Sequence, residues 1–570
     1  MTEPLSADTS CDVLVIGAGA GGLTTAITAR KHGLNVIVIE KAPFFGGTMA
    51  FSGGVLWIPG NHICPPGQPR DTRARAREYL KHETGNHFDA NVIDAFLDHG
   101  PEMLDFFQRE TEVKFIPTLY PDYHPDAPGG VDVGRSVLAA PYDASTLGKE
   151  LHRLRPPLRS ITFMGMMFNS SNADIKHFFN VTKSATSFFY VTRRLAAHMK
   201  EVLRHGRGVQ VTSGNALAAR LAKTAFELGI PIHTSTPAST LLWEGGRVTG
   251  AQIETPAGLV SLKARRAVVL AAGGFPHDKA RISQAYPHVR RGAAHLSPVP
   301  AENTGDGIAL AENIGGQFTI AYPNAAAWMP VSAVPTNHGQ ISVFPHLLDR
   351  YKPGIIAIDG QGQRFTNESN SYHDVGEAMI AAGNTLSKNE FFLICDHRAI
   401  RKYGLGFVKP APLPLGKYLR NGYLKRGATL HEIAEAIGVD AQTLEQTIAR
   451  YNEGARNGQD PEFKRGGTAF NRYLGDPEHR PNPNIAPLRH GPFYALKLVM
   501  GDLGTFDGLK TTVEGQVMNK DGIPIPGLYA AGNDQASMMG GNYPGAGITL
   551  GPIMTFGYIT GRHLAATPGE

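Results

Sequence analysis

Two residues near the C-terminus, a tyrosine and a glycine four positions apart, could together bind one substrate oxygen. They are Tyr543 and Gly547, in the run Asn542-Tyr543-Pro544-Gly545-Ala546-Gly547. A phenol hydroxyl and a backbone N–H directed at the same oxygen form an oxyanion hole, which stabilises negative charge as it develops on a carbonyl oxygen. The pair therefore predicts chemistry at a carbon close to a carbonyl group.

Two other runs contain tyrosines beside polar residues and are further candidates for chemistry. They are Tyr120-Pro121-Asp122-Tyr123-His124-Pro125 and Asn367-Glu368-Ser369-Asn370-Ser371-Tyr372. A phenol has an ordinary pKa of roughly 10, so it is a poor base at neutral pH unless neighbouring groups bring that pKa toward the working pH. Asn367 and Glu368 are expected to organise the second loop rather than to react.

The elements that must position these residues begin with a dinucleotide-binding turn at the N-terminus. An apolar run at 12–16 predicts a buried strand, the glycine-rich loop 17–22 follows, and residues 23–39 predict a helix and a second strand. Glu40 closes that strand, 18 residues after Gly22. In such a turn the helix N-terminus faces a pyrophosphate, and the acid accepts bonds from ribose hydroxyls.

A second glycine-rich loop, at residues 45–54, favours FAD over NAD as the nucleotide. NAD domains do not usually carry such a loop after the acid, whereas FAD proteins of the glutathione-reductase and fumarate-reductase type do. Residues 267–275 and 527–534 resemble the strands that return to the FAD site in those families. Because these segments come from both ends of the chain, the predicted FAD domain is discontinuous.

The predicted cofactor-binding residues lie on the glycine loops, at the acid and at the ends of the returning strands. They are Gly17, Gly19, Ala20, Gly21, Gly22, Glu40, Lys41, Gly46, Gly47, Thr48, Ser52, Gly53, Gly54, Ala238, Ala272, Gly273, Gly274, Asp306, Gly532, Asn533, Asp534, Gly547 and Leu550. Asp534 is expected to bond the ribityl chain of FAD.

The predicted fold class is α/β, with a discontinuous Rossmann-like FAD-binding domain and an inserted α+β catalytic or capping domain. A chain of 570 residues is too long for one ordinary core. We place the first part of the FAD-binding domain at 8–297, the capping domain at 298–490 and the C-terminal part of the FAD-binding domain at 491–570.

Composition excludes several other classes of protein. A hydrophobic content of 42% with 18% charged residues indicates a folded globular chain, and a net charge of +5 without a basic stripe predicts no nucleic-acid partner. Cys11, Cys64 and Cys395 have no metal-binding or haem spacing, so we expect no metal and no disulfide framework. Without a signal peptide or an apolar run of about 20 residues, a cytoplasmic protein is expected.

On these motifs the chain resembles the 3-ketosteroid Δ1-dehydrogenases, flavoproteins of the fumarate-reductase-like superfamily. The resemblance covers nearly the whole chain. Its more specific motifs are Pro121-Asp122-Tyr123, Asn367-Glu368-Ser369 with Tyr372, and the run from Tyr543 to Pro552. The arrangement of arginine and histidine that clamps a dicarboxylate in fumarate reductases is missing from the sequence.

The resemblance implies a role for each of four residues. Tyr543 and Gly547 would hold the ketone oxygen at steroid carbon 3, which acidifies the hydrogens on carbon 2. Tyr372 would take one of these as a proton, while carbon 1 loses a hydride to FAD N5 on the opposite face. Tyr123 would stabilise deprotonated Tyr372. Tyr120 is the alternative for this supporting role, because the sequence does not fix the register between two tyrosines three positions apart.

Other functions fit parts of the same pattern. They are a desaturase of another cyclic ketone or a Δ4-ketosteroid dehydrogenase, a fumarate-reductase-like enzyme that saturates an enoate, and a flavoprotein whose FAD is only structural. We expect the electrons to leave for an external acceptor, for which a quinone is a candidate.

The stretch 163–190 is rich in methionine and aromatic residues. It predicts either a helical hairpin with an ordinary core or a soft apolar lid that touches a greasy substrate or a membrane surface. Arg193, Arg194 and Lys200 follow it and suit an anionic surface. The second interpretation adds a peripheral membrane contact to the predicted partners.

Overall fold

The computed structural model describes residues 5–6, 9–63, 65, 67, 71–168, 177–178, 181, 184–256, 258–336, 339–386 and 389–567. The strands are β1 (Ser10–Ile16), β2 (Val36–Ile39), β3 (Val55–Trp57), β4 (Phe115–Pro117), β5 (Ser136–Ala139), β6 (Tyr142–Asp143), β7 (Gln210–Val211), β8 (Ile232–His233), β9 (Ala238–Glu244), β10 (Arg247–Thr255), β11 (Gly258–Leu270), β12 (Phe318–Thr319), β13 (Ala326–Pro335), β14 (Ile341–Pro345), β15 (Ile355–Asp359), β16 (Phe391–Cys395), β17 (Lys425–Gly427), β18 (Phe493–Thr505), β19 (Gly508–Leu509), β20 (Gln516–Met518) and β21 (Pro524–Ala530).

The α-helices of the described residues are α1 (Ala20–Lys31), α2 (Arg73–Thr84), α3 (Ala90–Glu110), α4 (Ala185–His205), α5 (Ser213–Glu227), α6 (Lys279–Ala285), α7 (Pro287–Arg290), α8 (Asp306–Glu312), α9 (Tyr372–Gly383), α10 (His397–Tyr403), α11 (Gly416–Arg420), α12 (Leu430–Ile437), α13 (Ala441–Ala455), α14 (Ala469–Tyr473) and α15 (Leu550–Ala566). Short 3₁₀ helices span Thr48–Phe51, Gly85–His87, Ala144–Arg153, Arg159–Ile161, Asp349–Tyr351 and Gly532–Asp534. Within the described residues no helix is both long enough and apolar enough to cross a membrane.

The larger sheet is built around the predicted nucleotide-binding turn. Its strand order is β20-β21-β11-β1-β2-β8, and β1 pairs in parallel with both β11 and β2. Val13, Leu14 and Val15 of β1 are fully buried, as a central strand of a parallel sheet requires. The loop after β1 leads directly into α1, which begins at Ala20, three residues earlier than predicted. The sheet thus brings the 267–275 and 527–534 segments beside the glycine loop.

The second sheet is antiparallel and has the order β14-β13-β18-β16-β15, with β17 also paired to β18. Its strands come from the predicted capping domain, apart from β18. The predicted domain boundary at 490/491 precedes β18, yet this strand pairs with β13 and β16, so the second sheet takes in residues up to Thr505. This sheet supports α9, the helix that begins at Tyr372.

A small third sheet, ordered β3-β5-β4, lies next to the C-terminal glycine-rich loop. The N–H of Trp57 in β3 donates to the Gly547 carbonyl oxygen at 3.1 Å. The loop that contains Tyr123 connects β4 to β5. This sheet therefore fixes two of the predicted site segments relative to each other.

Candidate active site

The glycines of the first loop have two different structural roles. A Cβ on Gly17 would overlap the carbonyl oxygen of Ala271, and a Cβ on Gly22 would overlap the carbonyl oxygen of Gly17, so backbone packing closes both positions. A Cβ on Gly19 would meet no atom within 4 Å, and Gly19 is partly exposed at the start of α1. This open space at the positive end of a helix fits a cofactor diphosphate.

Glu40 stands at the end of β2, where it accepts two backbone hydrogen bonds. The N–H of Ala18 donates to Oε2 at 2.9 Å, and the N–H of Ala42 donates to Oε1 at 2.8 Å. Burial raises the pKa of the carboxyl group. Each oxygen keeps a further lone pair, so the carboxylate still offers acceptors of the kind that a ribose hydroxyl needs.

Two residues that sequence reasoning missed lie close to Glu40. The guanidinium of Arg155 pairs with Glu302, with Nη2 3.2 Å from Oε2, and both groups act electrostatically on Glu40. Arg155 is buried, and its Nε has no acceptor among the described residues. A buried, unpartnered donor beside a nucleotide-type acid suits an anionic cofactor group. No local motif marks either residue.

Residues 303–306, which include Asp306, form hydrogen bonds to both Lys41 and Thr48. The Lys41 Nζ lies 2.7 Å from Asp306 Oδ2. In the same segment, Nδ2 of Asn303 donates to Thr48 Oγ1 at 2.9 Å. The sequence prediction placed these three residues at the cofactor, and the fold brings them together beside the end of β2.

Asp534 connects the last returning strand to the end of β11. Its fully buried carboxylate accepts the N–H of Ala272 at 2.6 Å and the N–H of Gly274 at 2.9 Å. Burial raises the pKa of this carboxyl to about 6. The geometry gives Asp534 a loop-fixing role, and its bond to the ribityl chain stays a prediction.

The other predicted cofactor residues lie on the same loops and element ends. Ser52 donates from Oγ to the Met49 carbonyl at 2.8 Å and accepts the N–H of Gly54 at 3.1 Å. The rest are Ala20, Gly21, Gly46, Gly47, Gly53, Ala238, Gly273, Gly532, Asn533 and Leu550. The donor set, the open glycine and the helix N-terminus together fit FAD.

Three tyrosines from distant parts of the chain meet in one buried cluster. Tyr123 comes from the β4–β5 loop, Tyr372 begins α9, and Tyr543 precedes α15. The ring centroid of Tyr123 lies 5.7 Å from that of Tyr372 and 5.6 Å from that of Tyr543, and the last two are 5.1 Å apart. The Tyr123 hydroxyl donates to the Tyr372 hydroxyl oxygen at 3.2 Å.

The sequence left open whether Tyr120 or Tyr123 contacts Tyr372, and the cluster shows which one does. Tyr123 makes the hydrogen bond to Tyr372. The Tyr120 ring instead packs against Tyr473, with centroids 4.7 Å apart. Tyr123 is held in this register because its N–H donates to the Pro544 carbonyl at 2.9 Å, which ties the loop to the Tyr543 segment.

Gly547 presents an unused backbone donor beside Tyr543. Its φ of +95° suits glycine, and a Cβ there would lie 2.5 Å from the Val55 carbonyl oxygen. None of the described residues accepts a hydrogen bond from its N–H, and the residue is partly exposed. The Tyr543 hydroxyl is within hydrogen-bonding reach of Tyr372 and Thr549. A free N–H near a buried phenol is what an oxyanion hole requires.

The pKa of Tyr372 differs from the expectation drawn from the sequence. Burial raises it well above the ordinary value, and the neighbouring Tyr123 and Tyr543 raise it further. The tyrosine partners therefore do not bring the Tyr372 pKa toward neutrality in the protein alone, because three phenols share one dry cluster. The sequence alone did not predict that Tyr372 is buried.

A buried ionic anchor under the Tyr123 loop was also missed. The Asp122 carboxylate accepts from Trp57 Nε1 at 2.8 Å and from Arg135 Nη1 at 2.6 Å. Arg135 in turn bonds Asp71 through Nε at 2.8 Å. The partners of Asp122 lie 65 and 13 residues away, and the only sequence signal was its position beside Tyr123.

Comparison with known proteins shows that this chain resembles flavoproteins over nearly its whole length. Residues 12–550 match the family model described as FAD binding domain. A 4-oxocyclohex-2-ene-1-carboxylate 5-dehydrogenase of Sinomonas cyclohexanicum is 42% identical over 98% of this chain and 94% of its own length. A 3-oxosteroid 1-dehydrogenase of Mycolicibacterium smegmatis is 36% identical over 98% of this chain and 97% of its own length.

A solved structure shares the whole architecture. The 3-ketosteroid Δ1-dehydrogenase of Sterolibacterium denitrificans, solved in complex with 1,4-androstadiene-3,17-dione, superposes with a TM-score of 0.89 at 34% identity. The match covers 98% of this chain and 100% of that chain. The FAD cofactor and the mixed α/β fold predicted from the sequence are thereby confirmed. The chain is an FAD-dependent oxidoreductase and belongs to the FAD-binding family that includes the 3-ketosteroid Δ1-dehydrogenases.

Proposed function

We propose that this protein introduces a carbon–carbon double bond beside the ketone of a ring, with a 3-ketosteroid as substrate and carbons 1 and 2 as the reacting pair. The observation that carries the proposal is the buried cluster of Tyr123, Tyr372 and Tyr543, with the free N–H of Gly547 on the loop that follows Tyr543. Full-length similarity to a 3-oxosteroid 1-dehydrogenase supports the steroid as the substrate class.

The oxyanion pair supplies the activation that an unreactive C–H bond needs. A ketone oxygen held by Tyr543 and Gly547 carries more negative charge in the enolate than in the ketone, so both hydrogen bonds strengthen as carbon 2 loses its proton. The buried rings of Tyr123, Tyr372 and Tyr543 limit the access of water to that charge. Binding therefore lowers the barrier to enolisation rather than only holding the ring.

Tyr372 is the proposed base for the proton on carbon 2. It can accept this proton only as tyrosinate, and burial and the neighbouring phenols oppose that form in the protein alone. We propose that the hydrogen bond donated by Tyr123 at 3.2 Å offsets part of this cost once the substrate is bound. FAD, when bound, would supply a hydride acceptor for carbon 1. The four residues Tyr123, Tyr372, Tyr543 and Gly547 thus orient the ring, hold its oxygen and move one proton.

A smaller ring ketone is the second candidate substrate, because the relative at 42% identity acts on a 4-oxocyclohexene carboxylate. Such a substrate carries a carboxylate, which needs a cation nearby. The pKa of Tyr543 is raised by burial, and the side chains that act on it are the uncharged Tyr372 and Thr549. The substrate panel below distinguishes the two candidates.

The acceptor that reoxidises the flavin is proposed to be an external quinone. This proposal is tested separately, by measuring turnover of the reduced holoenzyme with a water-soluble menaquinone analogue and with oxygen. Faster reoxidation by the quinone supports it, and equal or slower reoxidation contradicts it.

An anaerobic substrate panel tests the proposed reaction. Purified holoenzyme is mixed with androst-4-ene-3,17-dione, 4-oxocyclohex-2-ene-1-carboxylate or succinate, and the flavin absorbance is followed. We expect only the steroid to bleach the flavin, with formation of the 1,2-unsaturated ketone. Bleaching by the carboxylate alone would transfer the assignment to the second candidate, and bleaching by none would overturn both.

A further inference from the structure

Helix α4 (Ala185–His205) exposes large apolar side chains that pack on no described core. Phe188 is 53% exposed, Phe189 70%, Met199 49% and Leu203 82%. Phe188, Met199 and Leu203 fall within about 60° of one another around the helix axis. Scattered exposed apolar residues are normal, but an aligned row over one helix marks an interaction surface. We call these four residues the apolar face of α4.

The opposite side of the same helix is buried, so the face is not the result of a detached helix. Ser187, Val191 and His198 of that side are buried against the protein. His198 Nε2 lies 3.2 Å from the Met164 carbonyl oxygen, and Gly206 ends the helix with a left-handed φ of 72°. The helix is therefore fixed in place with its apolar face outward.

The sequence-based interpretation of 163–190 needs adjustment. Met166 and Met167 are buried, and the Phe163, Phe168 and Phe178 rings pack on one another. Residues 169–176, 179–180 and 182–183 lie outside the described residues. The exposed apolar surface is thus found mainly on α4, which continues past Tyr190.

Positive charge flanks the apolar face. Arg193, Lys200 and Arg204 are exposed and occupy the next sector around the axis, within about 40° of one another. With Arg194, the helix has four basic residues against one acid, Glu201, so its net charge is +3 with histidines neutral.

The single acid does not offset this charge on the outer side. Glu201 Oε2 accepts the N–H of Val209 at 2.9 Å, so its carboxylate is turned toward the protein. Apolar residues bordered by lysine and arginine are typical of a helix that lies in the plane of a membrane interface.

We propose that the apolar face of α4 rests on the surface of an anionic lipid bilayer, with the helix parallel to the membrane plane. At about 1.5 Å per residue the 21-residue helix offers a contact roughly 30 Å long. A second copy of this chain fits the face less well, because a two-fold contact would bring the two sets of basic residues together. The proposal concerns a surface away from the oxyanion pair and does not depend on the identity of the substrate.

Vesicle flotation with the full-length holoenzyme tests this surface. We expect the wild-type protein to float with vesicles of phosphatidylcholine and phosphatidylglycerol, and to float poorly with phosphatidylcholine alone. Each basic residue near an anionic surface contributes about 1 kcal/mol, so Lys200→Ala should lower the partition coefficient about fivefold. Phe189→Glu with Leu203→Glu should abolish flotation.

A matched control distinguishes the face from general surface hydrophobicity. Leu259 on β11 is 64% exposed, so Leu259→Glu changes a similar side chain elsewhere and should float like the wild type. Because all substituted residues are exposed, flavin content and turnover of a dispersed substrate should be unchanged. The proposal is overturned if the wild type stays unbound with both vesicles, or if the Phe189→Glu, Leu203→Glu double variant still floats.

Analytical ultracentrifugation of the same proteins tests whether a second copy of this chain, rather than a membrane, covers the apolar face of α4. A dimer that dissociates in the double variant, without vesicle binding by the wild type, would assign the face to a second copy and overturn the membrane proposal. A wild-type monomer that binds anionic vesicles supports it.

Discussion

The Nε2 atom of His124 lies 3.2 Å from Asp374 Oδ2, which connects the loop of Tyr123 to the helix of Tyr372. His124 directly follows Tyr123, and Asp374 comes two residues after Tyr372. The other ring nitrogen, Nδ1, lies 2.8 Å from Glu83 in α2. The imidazole thus bridges two carboxylates from different elements and holds the two tyrosine hydroxyls in register.

Breaking this bridge should impair turnover more than it impairs folding. Asp374→Asn weakens the contact to His124, and small displacements of a base lower rates steeply, so we expect kcat to fall about tenfold while flavin content and KM change little. Steady-state kinetics and the melting temperature check this. His99→Gln, which breaks a similar 2.8 Å contact to Glu102 at an exposed site, serves as the control. Unchanged kcat in Asp374→Asn would show that the bridge does not position the tyrosines.

The same bridge predicts an alkaline loss of stability. Burial opposes the charged imidazole, but the hydrogen bonds to Asp374 and Glu83 raise the pKa of His124 to about 11, above its ordinary value of 6.5. A raised folded-state pKa stabilises the protein fully below the unfolded value and loses this contribution as pH rises through the folded value. The melting-temperature gap between wild type and His124→Gln should therefore shrink as the pH approaches about 11. A constant gap would contradict the assigned charge.

Local sequence patterns were enough to predict the FAD cofactor and the turn that precedes the first helix. The turn between β1 and α1 depends on adjacent residues, so Gly17, Gly19 and Gly22 could be assigned from their spacing. The tyrosines needed a family resemblance as well, because Tyr123 and Tyr372 are 249 residues apart and no periodicity joins them.

The supporting ionic contacts could not be predicted in this way. Arg155 with Glu302, and His124 with Asp374, pair across long sequence separations that no local pattern encodes. The direction of the Tyr372 pKa depends on how dry the cluster is, which only packing decides. Similarly, a strand pattern does not identify the partners of β18, which pairs with β13 and β16 across the predicted boundary at 490/491.

Removing the hydroxyls of the two main tyrosines should nearly abolish activity. Loss of one oxyanion donor typically lowers the rate about a hundredfold or more, so Tyr543→Phe should do the same, and Tyr372→Phe should remove the base altogether. Both proteins should keep FAD, because Glu40 and the first glycine loop make their described contacts without either hydroxyl. Tyr120→Phe is the control, since the Tyr120 ring packs on Tyr473. Normal turnover in Tyr372→Phe removes that residue from the mechanism.

A methyl group at Gly547 should displace the backbone donor. In Gly547→Ala the Cβ would lie 2.5 Å from the Val55 carbonyl oxygen, so the loop has to shift and kcat should fall at least about tenfold. Gly522→Ala is the matched control, because its φ of +76° carries the same strain and its Cβ would meet no atom within 4 Å. Gly522→Ala should lose about 1 kcal/mol of stability from the left-handed backbone, and Gly547→Ala should lose more because its Cβ also overlaps the Val55 backbone, but only Gly547→Ala should lose activity. Equal activities would separate the N–H from catalysis.

The loop that leads into Tyr372 is held by a buried carboxylate, and its removal should destabilise the capping sheet. Glu368 is fully buried and lies 2.9 Å from Arg364 Nη2 and 3.2 Å from Arg465 Nη1. Although burial opposes its ionisation, these two guanidiniums lower its pKa. Glu368→Gln leaves the buried Arg465 without its counter-charge, while Arg364 keeps its ion pair with Asp460, so unfolding should need about 3 kcal/mol less free energy. Denaturant titration measures this difference, with the exposed Glu445→Gln expected to match the wild type. If both variants unfold at the wild-type midpoint, the ion pairs do not hold the loop, and the position of Tyr372 must be fixed by the packing of α9 on β13 instead.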